Sequence, residues 1–273
     1  MDEDLVGIEP SRDIGQAERR RQRFERLLSF ATPLLILLVW EIVVRVGWVD
    51  ARLFSSPSRI AGTFWDLARS GELFRYLGIS LVRMGIGFVM GAIPGLLIGV
   101  AIGLSPLMRA VFSPIIASLY PIPKIAIFPL IMVIFGIGEF SKYVLVAITV
   151  FFFMAINSAA GVLNVDRIYW DVGRSFQVGR LRKVLTIALP GALPMIIAGV
   201  RLSLGVSLLV LVSAEFVGSK SGIGFLVWDS WQTFNIEAMF VGIVVIGALG
   251  WIFFTVVDEL ERHFLPWVPG NRR

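Results

Sequence analysis

The sequence predicts an all-α integral membrane protein with six transmembrane helices, and three observations carry that prediction. Apolar residues make up 56% of the 273-residue chain and charged residues only 16%, with a mean hydropathy of +0.81; soluble domains carry about a quarter charged residues. The apolar residues fall in blocks of about 20, the length a helix needs to cross hydrocarbon with its backbone paired internally. Lys and Arg collect in alternate connecting segments, as cytoplasmic loops do. Cysteine is absent and His263 is the single histidine. This excludes disulfides, iron–sulfur clusters and thiolate zinc sites, and leaves little for a histidine metal site. The net charge of +5 belongs to those loops, not to a nucleic-acid footprint.

Taken in order, residues 1–27 form a polar N-terminal tail in which Arg19, Arg20, Arg21, Arg23 and Arg26 precede the first apolar block. No small-residue cleavage pattern follows that block, so it reads as an uncleaved anchor. The membrane domain covers residues 28–262, and residues 263–273 form a C-terminal tail. The six spans are Leu28–Val46, Leu81–Leu104, Ala110–Phe135, Tyr143–Leu163, Ala192–Val217 and Ile236–Val257. Pro114, Pro121, Pro123 and Pro129 interrupt the third. Each proline frees backbone groups that must be paired again inside protein, so this span is expected to be broken or kinked and buried. With the N-terminus inside, fifteen Lys and Arg lie in inner segments and six in outer ones. That asymmetry predicts a multi-pass topology with both termini in the cytoplasm and a cytoplasmic segment 164–191.

The connector 51–79 is long. Ser56-Pro57-Ser58 resembles a helix start, and Ile60, Phe64 and Leu67 recur at helical spacing until Gly71, which predicts an amphipathic helix at the outer membrane surface. In the second span Gly87, Gly91, Gly95, Gly99 and Gly103 repeat every fourth residue along one face. This small-residue stripe lets backbones approach closely, either within the chain or between subunits.

Polar residues inside spans are expensive and each needs a reason. Lys124, Asn157, Ser158, Ser213 and Glu215 are the candidates for a translocation pathway. Asn157 and Ser213 either hydrogen-bond a passing anion or tie helices together, and Glu215 is expected to be capped or paired near a span end. Lys124 and Arg201 either offer positive charge to an anion or pair and snorkel. Glu41 and Arg45, four apart, predict a helix-surface ion pair.

The segment 164–191 holds the most informative constellation. Tyr169, Val172, Gly173 and Phe176 recur at the spacing of one helical face, and a second short helix, Leu181–Ile187, is expected to end before Pro190. A half-apolar helix pair on the cytoplasmic side of a membrane protein needs something to dock against; the alternative is a helix resting on lipid headgroups.

The stretch from Asp171 to Pro190 resembles the cytoplasmic signature of ABC importer permeases, a Glu-Ala-Ala, then a Gly, then Ile-x-Leu-Pro. Asp171 takes the acidic position, Val172 and Gly173 the two alanines, and Ile187, Leu189 and Pro190 match outright. Gln177 stands at the motif glycine, with Gly179 two residues on. Other stretches are similar to the nitrate, sulfonate and taurine branch. They are Leu53–Ser58, Tyr120–Ala126, Phe135–Lys142, Ala214-Glu215-Phe216 followed by Ser221–Gly224, and Leu265-Pro266-Trp267. The resemblance implies the type I ABC importer permease fold and a second copy of the chain completing the pathway. It also implies two ATPase subunits, which hold the ATP and Mg²⁺, and an extracytoplasmic binding protein that delivers a small anion. Asp171 to Pro190, with Tyr169, Phe176 and Gly179, would then couple to the ATPase.

No cofactor is expected in this chain itself. A phosphate-cradling loop needs G-x-x-x-x-G-K-[ST] after a strand, and Gly218-Ser219-Lys220-Ser221 lacks the Gly-Lys pair. The alternatives are an ion-coupled secondary transporter, for which mid-span Asp and an internal repeat are missing, and an intramembrane enzyme, for which no nucleophile–base pair is found.

Overall fold

The structure is a computed structural model describing residues 12–50 and 53–267. Residues 1–11 and 268–273, with Arg272 and Arg273, lie outside the described residues, as does Arg52; so do the side chains of residues 12–24, 26, 27 and 30, with the basic run before the first span. The chain forms two compact units, one ending at Gly62 and one beginning at Thr63.

In the first unit, α1 (Arg12–Arg45) covers the first predicted span up to Arg45. The Glu41–Arg45 ion pair is present at 2.6 Å. Glu41 also accepts from the backbone N–H and the hydroxyl of Ser58, at 2.9 and 2.8 Å, on the helix α2 (Pro57–Arg69) that starts in this unit. Pro57 at the first turn of α2 costs no hydrogen bond, because the N–H there has no helical acceptor.

In the second unit the helices are α3 (Glu72–Leu104), α4 (Pro106–Leu119), α5 (Phe128–Phe135), α6 (Glu139–Leu163), α7 (Arg167–Ser175), α8 (Arg180–Lys183), α9 (Leu189–Gly218), α10 (Ile223–Gln232) and α11 (Ile236–Phe264). The described residues contain no strand. Among the described residues four helical stretches are long and apolar enough to cross a membrane, namely α3, α6, α8 continued into α9, and α11; α4 and α5 make a fifth span if their bent pair is counted once. The first expected span, Leu28–Val46, falls on α1 as far as Arg45, so each of the six expected stretches lies on helix, the third in two pieces.

Two boundaries differ. Gly71, at φ 77, separates α2 from α3, so α3 begins nine residues before the expected Leu81 and the connector is shorter than the sequence suggested. The helix expected to stop before Pro190 instead runs on: Val184–Ala188 form a π-helical turn and the chain continues into α9. Proline removes one N–H but fits the first turn of a helix, and the π turn shifts the hydrogen-bond register there, with the Leu189 N–H donating to Val184 O.

The third span is broken, with an 88° bend between α4 and the Lys124–Phe135 stretch. Pro121 and Pro123 remove the donors that would continue α4. The Lys124 ammonium supplies replacements, reaching the carbonyls of Leu119, Tyr120 and Ile122 at 3.2, 2.7 and 2.8 Å.

The core of this unit is α3 against α6 against α9. The glycine stripe of α3 lies on α6, so of the two readings open in sequence the packing is within the chain. A Cβ on Gly87 would lie 2.6 Å from Val146 Cβ, on Gly95 2.7 Å from Phe151 O, and on Gly103 2.5 Å from Val162 Cβ. No side chain fits there. Dispersion between bare backbones replaces the hydrophobic drive that lipid cannot supply.

Candidate functional site

The segment between α6 and α9 folds as a small projecting unit. Asp166 starts α7, its carboxylate accepting from the Ile168 N–H at 3.0 Å. Ile168, Tyr169, Val172 and Phe176 are 61%, 61%, 51% and 78% exposed. The face expected from spacing is therefore split. Tyr169, Val172 and Phe176 point outward, while Gly173 is buried and turned inward, where a Cβ would meet Ile187 Cδ1 at 2.6 Å. Ile187 lies on the π turn, so the contact ties α7 to the base of the α9 span. Asp171 is exposed and pairs with Arg174 at 3.3 Å. Leu189 and Pro190 lie in the first turn of α9.

The turn after α7 is made by Gln177 at φ 50, in the left-handed region, and not by Gly179, whose φ is −63. The Val178 N–H donates to Gly173 O at 3.0 Å and the Gln177 N–H to Arg174 O at 2.9 Å, the paired bonds that end a helix in a left-handed residue. Gln177 thus performs at the expected register what glycine would do without the cost of a Cβ, about 1–2 kcal/mol.

At the opposite ends of α6 and α9, stretches that looked unrelated in sequence converge on one residue that spacing did not single out, Arg83. Its side chain is 2% exposed. It reaches Glu215 at 2.6 Å and both oxygens of Glu139 at 2.5 and 2.7 Å. It also donates to the Ser221 carbonyl at 2.6 Å and the Ser221 hydroxyl at 2.9 Å. Lys142 joins Glu139 at 3.1 Å. Glu215, fully buried, further accepts from the Ser80 hydroxyl at 2.8 Å and the Gly224 N–H at 2.8 Å. Gly222, at φ 108, lets the loop approach, since a Cβ there would lie 2.6 Å from the Arg83 guanidinium. Two cations meet two carboxylates, so the cluster is formally neutral and its partners draw α3, α6, α9, the loop before α10 and the first turn of α10 toward one point. The available signal was a lone cation in one span and a lone acid in another.

The remaining pathway candidates do not come together. The Asn157 amide donates to Phe153 O at 2.8 Å and the Ser213 hydroxyl to Leu209 O at 2.9 Å, each on its own helix. Ser158 is fully buried under the glycine stripe, and among the described residues its hydroxyl has no partner. Arg201 pairs with Asp258 and, at 2.6 Å, with Glu261. Lys124 stands apart at the bend. Among the described residues no group of three or more His, Asp or Glu is placed to hold a metal ion.

Comparison with known proteins agrees with this architecture. Residues 95–268 match the family model "Binding-protein-dependent transport system inner membrane component". The chain is 36% identical over 247 residues to the putative aliphatic sulfonates transport permease protein SsuC of Bacillus subtilis (strain 168), covering 90% of each chain. It is 35% identical over 245 residues to the protein of the same name in Escherichia coli (strain K12), covering 90% of this chain and 93% of that one. Among solved structures, an inward-facing MetNI methionine ABC transporter chain superposes with a TM-score of 0.59 at 20% identity, over 74% of this chain and 98% of that one. This chain belongs to the family of binding-protein-dependent transport system inner-membrane components, the multi-pass permease subunits of ABC importers.

Proposed function

We propose that two copies of this chain form the translocation pathway for an organic sulfonate, driven by two ATPase subunits that bind and hydrolyse ATP with Mg²⁺ and supplied by an extracytoplasmic binding protein. Both termini and α7 lie in the cytoplasm, which the Lys and Arg asymmetry supports. The sulfonate assignment is supported by the names of the two relatives. The observation that carries the mechanism is the exposed apolar face of α7, which presents Tyr169, Val172 and Phe176 on a mount fixed to the α9 span.

An ATPase subunit changes shape at some distance from the bilayer. Its motion reaches the spans only through a contact that is rigid on both sides. Exposed aromatic and aliphatic side chains on a short helix suit insertion into a groove on the partner. Gly173 against Ile187 makes α7 and the base of α9 move together. The Arg83 cluster then holds the far ends of α3, α6 and α9 in register, so the displacement travels along the helices instead of splaying them. Glu215 serves in that cluster, and Lys124 serves the substrate.

The test is ATP hydrolysis by the complex in proteoliposomes, with and without substrate-loaded binding protein. Phe176→Ala removes the most exposed ring of the face and is expected to reduce stimulated hydrolysis tenfold or more, since loss of an interface hot spot costs about 2 kcal/mol or more. Gly173→Glu pushes α7 off Ile187 and is expected to abolish stimulation while membrane insertion stays normal. Full stimulation in both variants would place the coupling surface elsewhere.

A further inference from the structure

A groove of about 530 Å³ opens between α3, α6 and the bend that follows α4. Its walls are apolar, built by Met90, Pro94, Ile127, Phe151 and Phe152 among others, and its one charged lining residue is Lys124. The ammonium sits 4.6 Å from the centre of the Phe152 ring. Its three protons go to the carbonyls at the end of α4, and among the described residues no carboxylate lines the groove beside it. Carbonyl dipoles satisfy its hydrogen bonds but do not cancel its unit charge.

The depth of this charge excludes the ordinary explanations. Gly91, on the groove wall, lies about 28 Å along α3 from Glu72 and about 20 Å from Leu104 at roughly 1.5 Å per residue. Phe151 stands about 18 Å along α6 from each end on the same measure. The groove is therefore near mid-bilayer. A lysine there does not snorkel while its head is tied to three local carbonyls, and a lipid phosphate stays at the interface, roughly 15 Å away in a hydrocarbon core of about 30 Å. An unneutralised intramembrane cation marks an ion or substrate path.

We propose that this groove binds an amphiphilic organic anion, with its alkyl body against Met90, Phe151 and Phe152 and its anionic head toward the Lys124 ammonium. The proposal rests on the transport reading above and narrows it. Apolar walls reward an alkyl chain, whereas nitrate or bicarbonate carries no apolar part to bury. The volume falls in the ordinary range for small-molecule sites, about 300–1,000 Å³.

The experiment is photolabelling of the purified permease in lipid nanodiscs with an alkanesulfonate carrying a diazirine in its chain, mapped by mass spectrometry. Label is expected on the peptides holding Met90, Phe151 and Phe152. Hexanesulfonate should compete at least tenfold better than hexanol, and nitrate should compete poorly. Lys124→Gln should erase the advantage of hexanesulfonate over hexanol, and Lys124→Arg should keep it. The wild-type competition series needs no variant and so decides the point even if Lys124→Gln folds badly. Equal competition by hexanol, label spread over other helices, or protection by added phospholipid alone would overturn the proposal. The Phe176→Ala assay does not involve the groove. Absent labelling with intact α7 coupling therefore sinks this inference alone, and the reverse result sinks only the coupling assignment.

Discussion

Arg83 and Glu215 sit 2.6 Å apart with side chains 2% and 0% exposed. Removing one partner of such a pair leaves a buried charge without compensation, which costs about 3–5 kcal/mol, whereas replacing both with apolar groups of similar size is often neutral. Glu215→Leu alone is therefore expected to lower the thermal unfolding midpoint in detergent sharply. Arg83→Met with Glu215→Leu should recover part of the loss, held below wild type by the partners Glu139 and Ser221 left behind. Equal stability of the single variant and the wild type would show that the cluster bears no load. The sequence displays Glu215 as an acid in a span but not its partner, because Arg83 lies 132 positions away and no periodicity links residues on different helices. Gln177 teaches the converse: a polar residue stands where glycine was expected, and the register of the turn is nevertheless kept by its left-handed backbone.

Helix pairs decide the next scale. The α3 stripe against α6 leaves no room for a methyl group at Gly95, where Phe151 O and Met154 Cβ would lie 2.7 and 2.8 Å from a new Cβ. Gly95→Ala is expected to force the helices apart and cost about 1–3 kcal/mol of overpacking, and Gly95→Leu to abolish stable expression. Size-exclusion profiles and unfolding midpoints measure both, and a wild-type profile for Gly95→Leu would show that α3 and α6 are not in contact. The stripe was legible as a packing face from its four-residue repeat. Which helix it packs on was not, because lipid and protein both accept small residues. The same limit applied at Pro190. Proline in sequence reads as a helix end, yet a π turn before it absorbs the missing donor and α8 continues into α9.

For the whole molecule, topology is directly testable because the chain contains no cysteine. Ile137 is 83% exposed near the start of α6 and Phe176 is 78% exposed beyond its end. Single cysteines at these two positions are expected to react with a membrane-impermeant maleimide from opposite sides, Phe176→Cys only when the cytoplasmic face is open. Labelling of both from one side would overturn the topology. The sequence by itself determined the class, the helical spans, the break in the third, the amphipathic α2 and the α7 segment. All of these depend on hydropathy, proline and spacing within one stretch of chain, where physical cause and sequence position coincide. Only the tertiary structure decided that Arg83 gathers Glu139, Glu215 and Ser221, that Gly173 turns inward on Ile187, and that Lys124 stands in an apolar groove beside α3 and α6. Those arrangements are contacts between distant segments, and a pairing energy between two residues leaves no periodic trace in either one's neighbours.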